Sequence, residues 1–465
     1  MPTFNESSSL RRVLLLMPLL AACAHGSADG SQAPVDADPE AAALASIRAQ
    51  DIAAHVAVLA SDAYEGRFPG SAGEVKTVSY LSSTLAQLGV APAGEAGYLQ
   101  VVPLASQRVD PASAIVARGA GGELQLGFAE DMILGAPGSE ARVQVVSDEL
   151  VFVGYGIVAP EYGWDDYAGL DVRGKTVVVL AGDPGPGRGD PAFFKGAALT
   201  HHGTFDAKLE RARERGAAAV LRLHDAEASG FPWAALAKNG AQARMQLREG
   251  GSTAPTLSGA IDLSKGRELF ALAGVDLDPL LERAGSDGFR GVGVELRLEY
   301  DLQRALAPVD SHNVVGLIRG SERPDEYVIY TAHWDHVGMA PEGGGRDGDR
   351  IFNGAVDNAT GTAIVLELAR AFGAMKTKPA RTILFAAVTA EEGGLRGSEY
   401  FGRHPPIPAG KIAVDLNYDG ILPIGRTSDM TLPGYERTTL APVVEELAAK
   451  MGVTLTPDSH PEQGY

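Results

Sequence analysis

The stretch TAEEGGLRGSEYF, Thr389 to Phe401, sets Glu391 and Glu392 side by side directly after an apolar run. Paired carboxylates can shuttle a proton or hold a divalent cation. Neighbouring side chains of a regular strand point to opposite faces, so both serve one site only where the strand ends. Gly393 and Gly394 follow at once and would permit such a turn. Three other short motifs carry the same kind of residue. TAHWDHVG, Thr331 to Gly338, supplies His333, Asp335 and His336; NGAVDNATG supplies Asp357; NYDG supplies Asp419. One imidazole among several carboxylates suits a hard or borderline divalent ion, with zinc the leading choice. More carboxylates than one ion needs points to a two-metal site, with a bridging carboxylate holding the ions about 3.5–4 Å apart. Taken singly, each motif has a plainer reading: His333 as a core or surface histidine, Asp357 as a helix cap, the two glutamates as a solvated charge pair. Their joint occurrence at element ends favours the metal site.

The elements that must position these residues are legible as hydrophobic runs. EYVIYTA (Glu326 to Ala332), RTILFAAVTA (Arg381 to Ala390) and KIAVDLNYD (Lys411 to Asp419) are apolar and β-branched, and helical segments separate them. That pattern predicts an α/β fold with a mostly parallel central sheet flanked by helices. Ligands of open α/β sheets sit outside the carboxyl ends of the strands, and the candidate residues fall there. After DNATG, apolar Ile364, Val365, Leu368, Ala369 and Phe372 mark one face of a helix. Upstream, IAAHVAVLAS and then Val75, Val78, Leu81, Leu85 and Leu88 recur at helical spacing, with SDAYEGRFPGS between them as loop and GYLQVVPL beyond as a strand. Residues 121–300 differ in texture: short β-like runs and the helix FDAKLERARERG predict a separate β-rich inserted domain. The pair His201 and His202 there reads as solvent-facing histidines in a Gly-rich loop.

The chain has 465 residues and a formal net charge of -19, which argues against nucleic acid as a partner. Its single cysteine, Cys23, excludes an intrachain disulfide. Arg11 and Arg12, the apolar run Val13 to Leu20 and the ending LAAC describe an export signal too short to span a bilayer. The LAAC ending resembles a bacterial lipobox, which implies lipid attachment at Cys23 and a place in the bacterial envelope, in the periplasm or on the outer membrane. The expected organisation is a signal segment 1–23, a polar tether 24–40, the first part of the main domain 41–120, the insert 121–300 and the second part of the main domain 301–465, which carries the candidate residues.

Together these motifs resemble the two-zinc aminopeptidase family that includes bacterial leucyl aminopeptidases, glutamate carboxypeptidase and the transferrin receptor ectodomain. LASDAYEGRFPGSAGE resembles that family's N-terminal loop and helix, and FVGYGIVAPEYGWDDYAGLDVRGKTVVVL its inserted protease-associated domain. The resemblance implies that His333 and Asp419 hold one zinc, Glu392 the other, and Asp357 bridges both. Glu391 matches the general base, taking a proton from the attacking water and passing it to the leaving amine. Asp335 matches the carboxylate that orients the ligand histidine. His336 matches no ligand position and is read as neighbouring structure. The implied substrate is a peptide with a free N-terminus; membrane attachment would come only through the lipid. The family's last ligand histidine lies a few residues beyond a segment resembling PEQGY, so the sequence reading expects it past Tyr465 and does not promote His460 in its place. On that reading, the activity of this chain as it stands is open. A glutamate-releasing carboxypeptidase and a non-catalytic receptor-like ectodomain are the competing readings, with a single-zinc glutaminyl cyclase behind them.

Overall fold

The computed structural model describes residues 39–457, apart from 187, 191, 197, 249–255, 341, 421–423, 426, 436 and 437. The export signal, Cys23, nearly all of the tether, His460 and the PEQGY segment lie outside the described residues. No helix among those described is long and apolar enough to cross a membrane. The chain divides into two compact units. One comprises the described residues up to Leu104 together with Val309–Pro457, the other Ala105–Pro308. Both edges fall inside continuous strands, Leu99–Val109 and Arg297–Ile318. No loop signal marks them, which is why sequence texture sets the edges at 120/121 and 300/301 instead.

The first unit is built on a mixed sheet. Its strands are β1 (Arg297–Ile318), β2 (Arg323–His333), β3 (Arg381–Val388) and β4 (Ile412–Asn417). β2 pairs parallel with both β3 and β4, whereas β1 runs antiparallel to β3 over Val314–Ile318. The three parallel strands are therefore the ones that lead to the candidate residues. The period-2 alternation of strands sorts their side chains onto two faces. Val328, Tyr330, Ala332, Ile383, Phe385 and Ala387 pack on one face, while Ile329, Leu384 and Ala386 pack on the other. Every residue of β3 is buried, as a central strand covered on both faces requires.

Helices α1 (Ala49–Leu59), α2 (Ala72–Gln87) and α3 (Gly361–Ala374) cover the first face; α4 (Arg396–Arg403) places Phe401 on the second. α3 is almost wholly buried, which its run of Ala, Ile, Val and Leu allows. Truncating a core residue such as Phe385, 1% exposed, would cost about 3–5 kcal/mol. α2 begins at Ser71, whose hydroxyl accepts from the amides of Gly73 and Glu74.

The second unit has its own core. A six-stranded sheet runs Val292–Val294, Leu150–Phe152, Thr176–Val179, Ala219–His224, Leu257–Asp262, Met132–Gly135, with parallel pairing inside and antiparallel pairing at both edges. Phe152 stacks edge-on against Phe270 and Phe289 at its centre. His201 is exposed there, and His202 contacts Glu161 at 2.7 Å.

Candidate metal centre

The ends of β2, β3 and β4 deliver the site. β2 finishes on His333, 2% exposed. Its Nδ1 lies 3.2 Å from the Asp335 carbonyl and 3.6 Å from the Asp335 carboxylate. With the Nδ1 proton held there, the Nε2 lone pair is left for a ligand. Nε2 faces Asp357 Oδ1 at 3.1 Å, Asp419 Oδ1 at 3.3 Å and Glu391 Oε2 at 3.9 Å. Asp419 arrives from the segment after β4. The amide of Tyr418 donates to the Thr331 carbonyl at 2.9 Å, continuing the β2–β4 pairing to the site.

Asp357 stands just before α3 and is shaped by its neighbour Asn358. Asn358 accepts from the Gly361 amide and donates to the Tyr418 carbonyl, both at 2.9 Å, so it ties the start of α3 to the segment carrying Asp419. Asp357 also joins a second group with His336 and Glu392. His336 Nδ1 and Glu392 Oε1 lie 2.5 Å apart, a short charge-assisted hydrogen bond. The sequence reading leaves His336 as neighbouring structure; in space it supports the carboxylate of Glu392. Only the Asp335–His336 adjacency could have suggested it.

Glu391 and Glu392 sit in a loop whose ends are drawn together. The Gly397 amide donates to the Thr389 carbonyl at 2.9 Å, and the Arg396 amide to that of Ala390 at 3.1 Å. Asn313 of β1, fully buried, clasps this neck: its Oδ1 accepts from the Thr389 amide, and its Nδ2 donates to the Gly397 carbonyl and to Gln100 Oε1, all at 2.9 Å. The left-handed residue that breaks β3 is Ala390, at φ 51, not a glycine; Gly394 and Leu395 close the loop at φ 104 and 63. Asp335 reaches this loop as well, accepting from the Glu391 amide at 3.1 Å. The sequence contained the glutamates but not the role of Asn313, which appears only once β1 and β3 are paired.

The electrostatics favour a cation here. Burial opposes charging His333, yet hydrogen bonding to Asp335, Asp357 and Asp419 pushes its pKa up to about 12. The His333 contact holds Asp357 below the usual carboxylate range. Burial pushes Glu391 up to about 7, reinforced by Asp335, Asp419 and Glu392 and opposed by His333.

The donor set suits zinc. Ligand atoms at zinc bond lengths of about 2.0–2.1 Å in a tetrahedron stand about 3.3–3.4 Å apart. The His333–Asp357 and His333–Asp419 separations of 3.1 and 3.3 Å are close to such edges. Behind the histidine, Asp335 Oδ2 is buried and without a hydrogen-bond partner.

Residues 313–465 match the model of Peptidase family M28. A probable zinc metalloprotease of Pyrenophora teres f. teres (strain 0-1) is 36% identical over 119 residues, 26% of this chain and 24% of that protein. Aminopeptidase NAALADL1 of Rattus norvegicus is 41% identical over 96 residues, 20% of this chain and 11% of that protein. The matched parts span about a quarter or less of these relatives' lengths. Among solved structures, the aminopeptidase from Aneurinibacillus sp. strain AM-1 aligns over 80% of this chain and 70% of that one, with 19% identity and a TM-score of 0.41.

Proposed function

We propose that this chain, whose residues 313–465 match the model of Peptidase family M28, is a zinc-dependent exopeptidase releasing N-terminal residues from peptides. The observation that carries the reading is the pair of candidate groups, His333–Asp357–Asp419 and His336–Asp357–Glu392, that share Asp357. In this reading His333 and Asp419 would hold one zinc and Glu392 the second, and Asp357, which belongs to both groups, would serve both. Bound zinc supplies Lewis acidity toward the scissile carbonyl and the attacking water. The rest belongs to the chain. Asp335 fixes the tautomer of His333, and the Asn313 clasp holds the loop of Glu391 and Glu392. Glu391 takes the proton of the attacking water and returns it to the leaving amine.

The test is hydrolysis of an aminoacyl-anilide panel against N-blocked peptides by the purified chain, before and after chelation. Free-amine substrates should be cut, the activity should vanish with chelator, and zinc should restore it. Cleavage of N-blocked peptides instead would move the assignment to a carboxypeptidase, and metal uptake without hydrolysis would favour a binding ectodomain.

Export and lipid attachment at Cys23 belong to the same proposal, supported by Arg11, Arg12 and the LAAC ending. Cys23→Ser should release the protein from a membrane fraction; unchanged sedimentation would remove the lipid from the account.

A further inference from the structure

Glu65, Gly66 and Arg67 are three successive residues in the left-handed region, at φ 51, 67 and 50. Two of them are not glycines, and such strained backbone persists only where the surroundings enforce it. The middle position accepts only glycine, since a Cβ on Gly66 would meet the carbonyls of Gly338 and Phe352. The turn aims the Arg67 side chain inward, where it is fully buried. Among the described residues the guanidinium makes no hydrogen bond to a carboxylate. Instead Nε donates to the Trp334 carbonyl at 2.8 Å, Nη1 to those of Leu59 and Asn353 at 2.7 Å, and Nη2 to that of Gly354 at 2.8 Å. The strap's backbone adds a bond from the Gly338 amide to the Gly66 carbonyl at 3.0 Å.

A buried cation with only carbonyls for partners is expensive. Burial pulls the Arg67 pKa down to about 10, while Asp335, Asp357 and Glu392 draw it back up, so the group stays charged at neutral pH. What that charge grips is specific. Trp334 lies between His333 and Asp335; Asn353 and Gly354 begin the turn that ends on Asp357. One guanidinium therefore spans the two segments whose side chains meet at the His333–Asp357 distance of 3.1 Å.

We propose that Arg67 is a positioning residue for the metal centre: its planar fork straps the His333 segment to the Asp357 segment and so sets the spacing of the ligands. The strap rests on the zinc peptidase reading given above. It depends on fork geometry as much as on charge. An ammonium at the same place presents one nitrogen and cannot reach four carbonyls held in two directions.

Zinc affinity, measured by chelator competition on the metal-free full chain, tests this without reference to turnover. The visible spectrum of the cobalt(II) form serves as a second readout, because it reports ligand geometry and not fold stability. Arg67→Lys should bind zinc about 10–100-fold more weakly and shift the cobalt bands while retaining its circular dichroism. In Arg67→Ala, added ethylguanidinium should restore affinity where ethylammonium does not. Should either variant fail to fold, Asn353→Ala loosens the same segment from its partly exposed side by removing side-chain bonds to the Ala60 carbonyl and Asp62, both at 2.8 Å. It should weaken zinc by roughly threefold to tenfold. Wild-type affinity and spectrum in Arg67→Lys, or unchanged affinity in Asn353→Ala, overturn the strap alone. A wild-type chain that takes up no zinc overturns the peptidase reading, and the strap with it.

Discussion

Each unit of the molecule buries an arginine that is saturated by main-chain carbonyls, and the two differ in what they hold. Arg304 of the second unit is 4% exposed and donates to the carbonyls of Glu140 at 2.7 Å, Pro137 at 3.2 Å, Gly138 at 3.0 Å and Ala136, and to Gln107 Oε1 at 2.7 Å. Its main-chain bonds all fall on the one loop from Ala136 to Glu140, with Gln107 as a side-chain partner. Arg67 makes the same kind of bond but grips segments far apart in sequence, and it feels the field of Asp335, Asp357 and Glu392. Burial lowers the pKa of both. The second unit treats its buried lysine similarly: Lys208 donates to the carbonyls of Leu180, at 2.7 Å, and Gly182. A carbonyl-saturated cation is thus a folding device that this chain uses repeatedly. Only the segments it joins can connect it to a metal centre.

The largest effect belongs to the first unit. Glu391→Gln keeps the shape of the loop and removes the proton acceptor, so hydrolysis should fall by about 10²–10⁴-fold with zinc content unchanged. Asp357→Ala should lose zinc as well as activity, since that carboxylate belongs to both groups. Metal analysis beside steady-state rates distinguishes the two variants. Equal zinc loss in both would make Glu391 a ligand and reverse the roles of the adjacent glutamates.

Next comes the clasp of the glutamate loop. Asn313→Ala leaves the Thr389 amide and Gln100 Oε1 without their Asn313 partner, each costing about 1–3 kcal/mol in a buried setting. Thermal unfolding should shift down, and kcat should fall by up to about 10²-fold through misplacement of Glu391. Zinc affinity at His333 should change far less, because His333 and Asp419 are carried by the ends of β2 and β4, which meet the loop through the bond from the Glu391 amide to Asp335 and not through Asn313. Loss of zinc in step with kcat would show that the loop and the histidine position are one cooperative assembly.

Much of this site was legible before any coordinates. The runs that became β2 and β3 are largely continuous and apolar because both of their faces are covered, whereas β4 leaves Ala413, Asp415 and Asn417 exposed; a residue at the carboxyl end of a parallel strand still falls where such sheets place their ligands. His333, Glu391, Glu392 and Asp419 could be collected on that ground, and Asp357 by its place just before a helix. What stayed hidden depends on pairing across long stretches of chain. Asn313 lies in SHNVVGLIRG, the end of a 22-residue strand whose pairing antiparallel to β3 is what brings it to the loop. Arg67 sits in what reads as a polar loop, where an arginine is ordinarily solvated; its burial comes from three left-handed residues that local pattern cannot announce. The turn after β3 misleads in the opposite direction. Two glycines advertise it, but Ala390 makes the break, because the closed neck enforces a backbone its own type would avoid.

The smallest expected effect is the control that gives the comparison of arginines its force. Arg304→Lys keeps a cation in the second unit but loses the fork that reaches Glu140, Gln107 and the Ala136–Gly138 carbonyls. Unsatisfied carbonyls of this loop should lower stability by about 1–3 kcal/mol, read as a fall in the unfolding midpoint. Zinc affinity and the cobalt(II) spectrum should stay at wild-type values, since no residue of the two metal groups lies in the segments Arg304 joins. If Arg304→Lys weakens zinc as strongly as Arg67→Lys does, then the Arg67 effect is general loosening and not ligand spacing. If it leaves zinc binding untouched, the same chemical clasp has been given two separate consequences by the segments it closes.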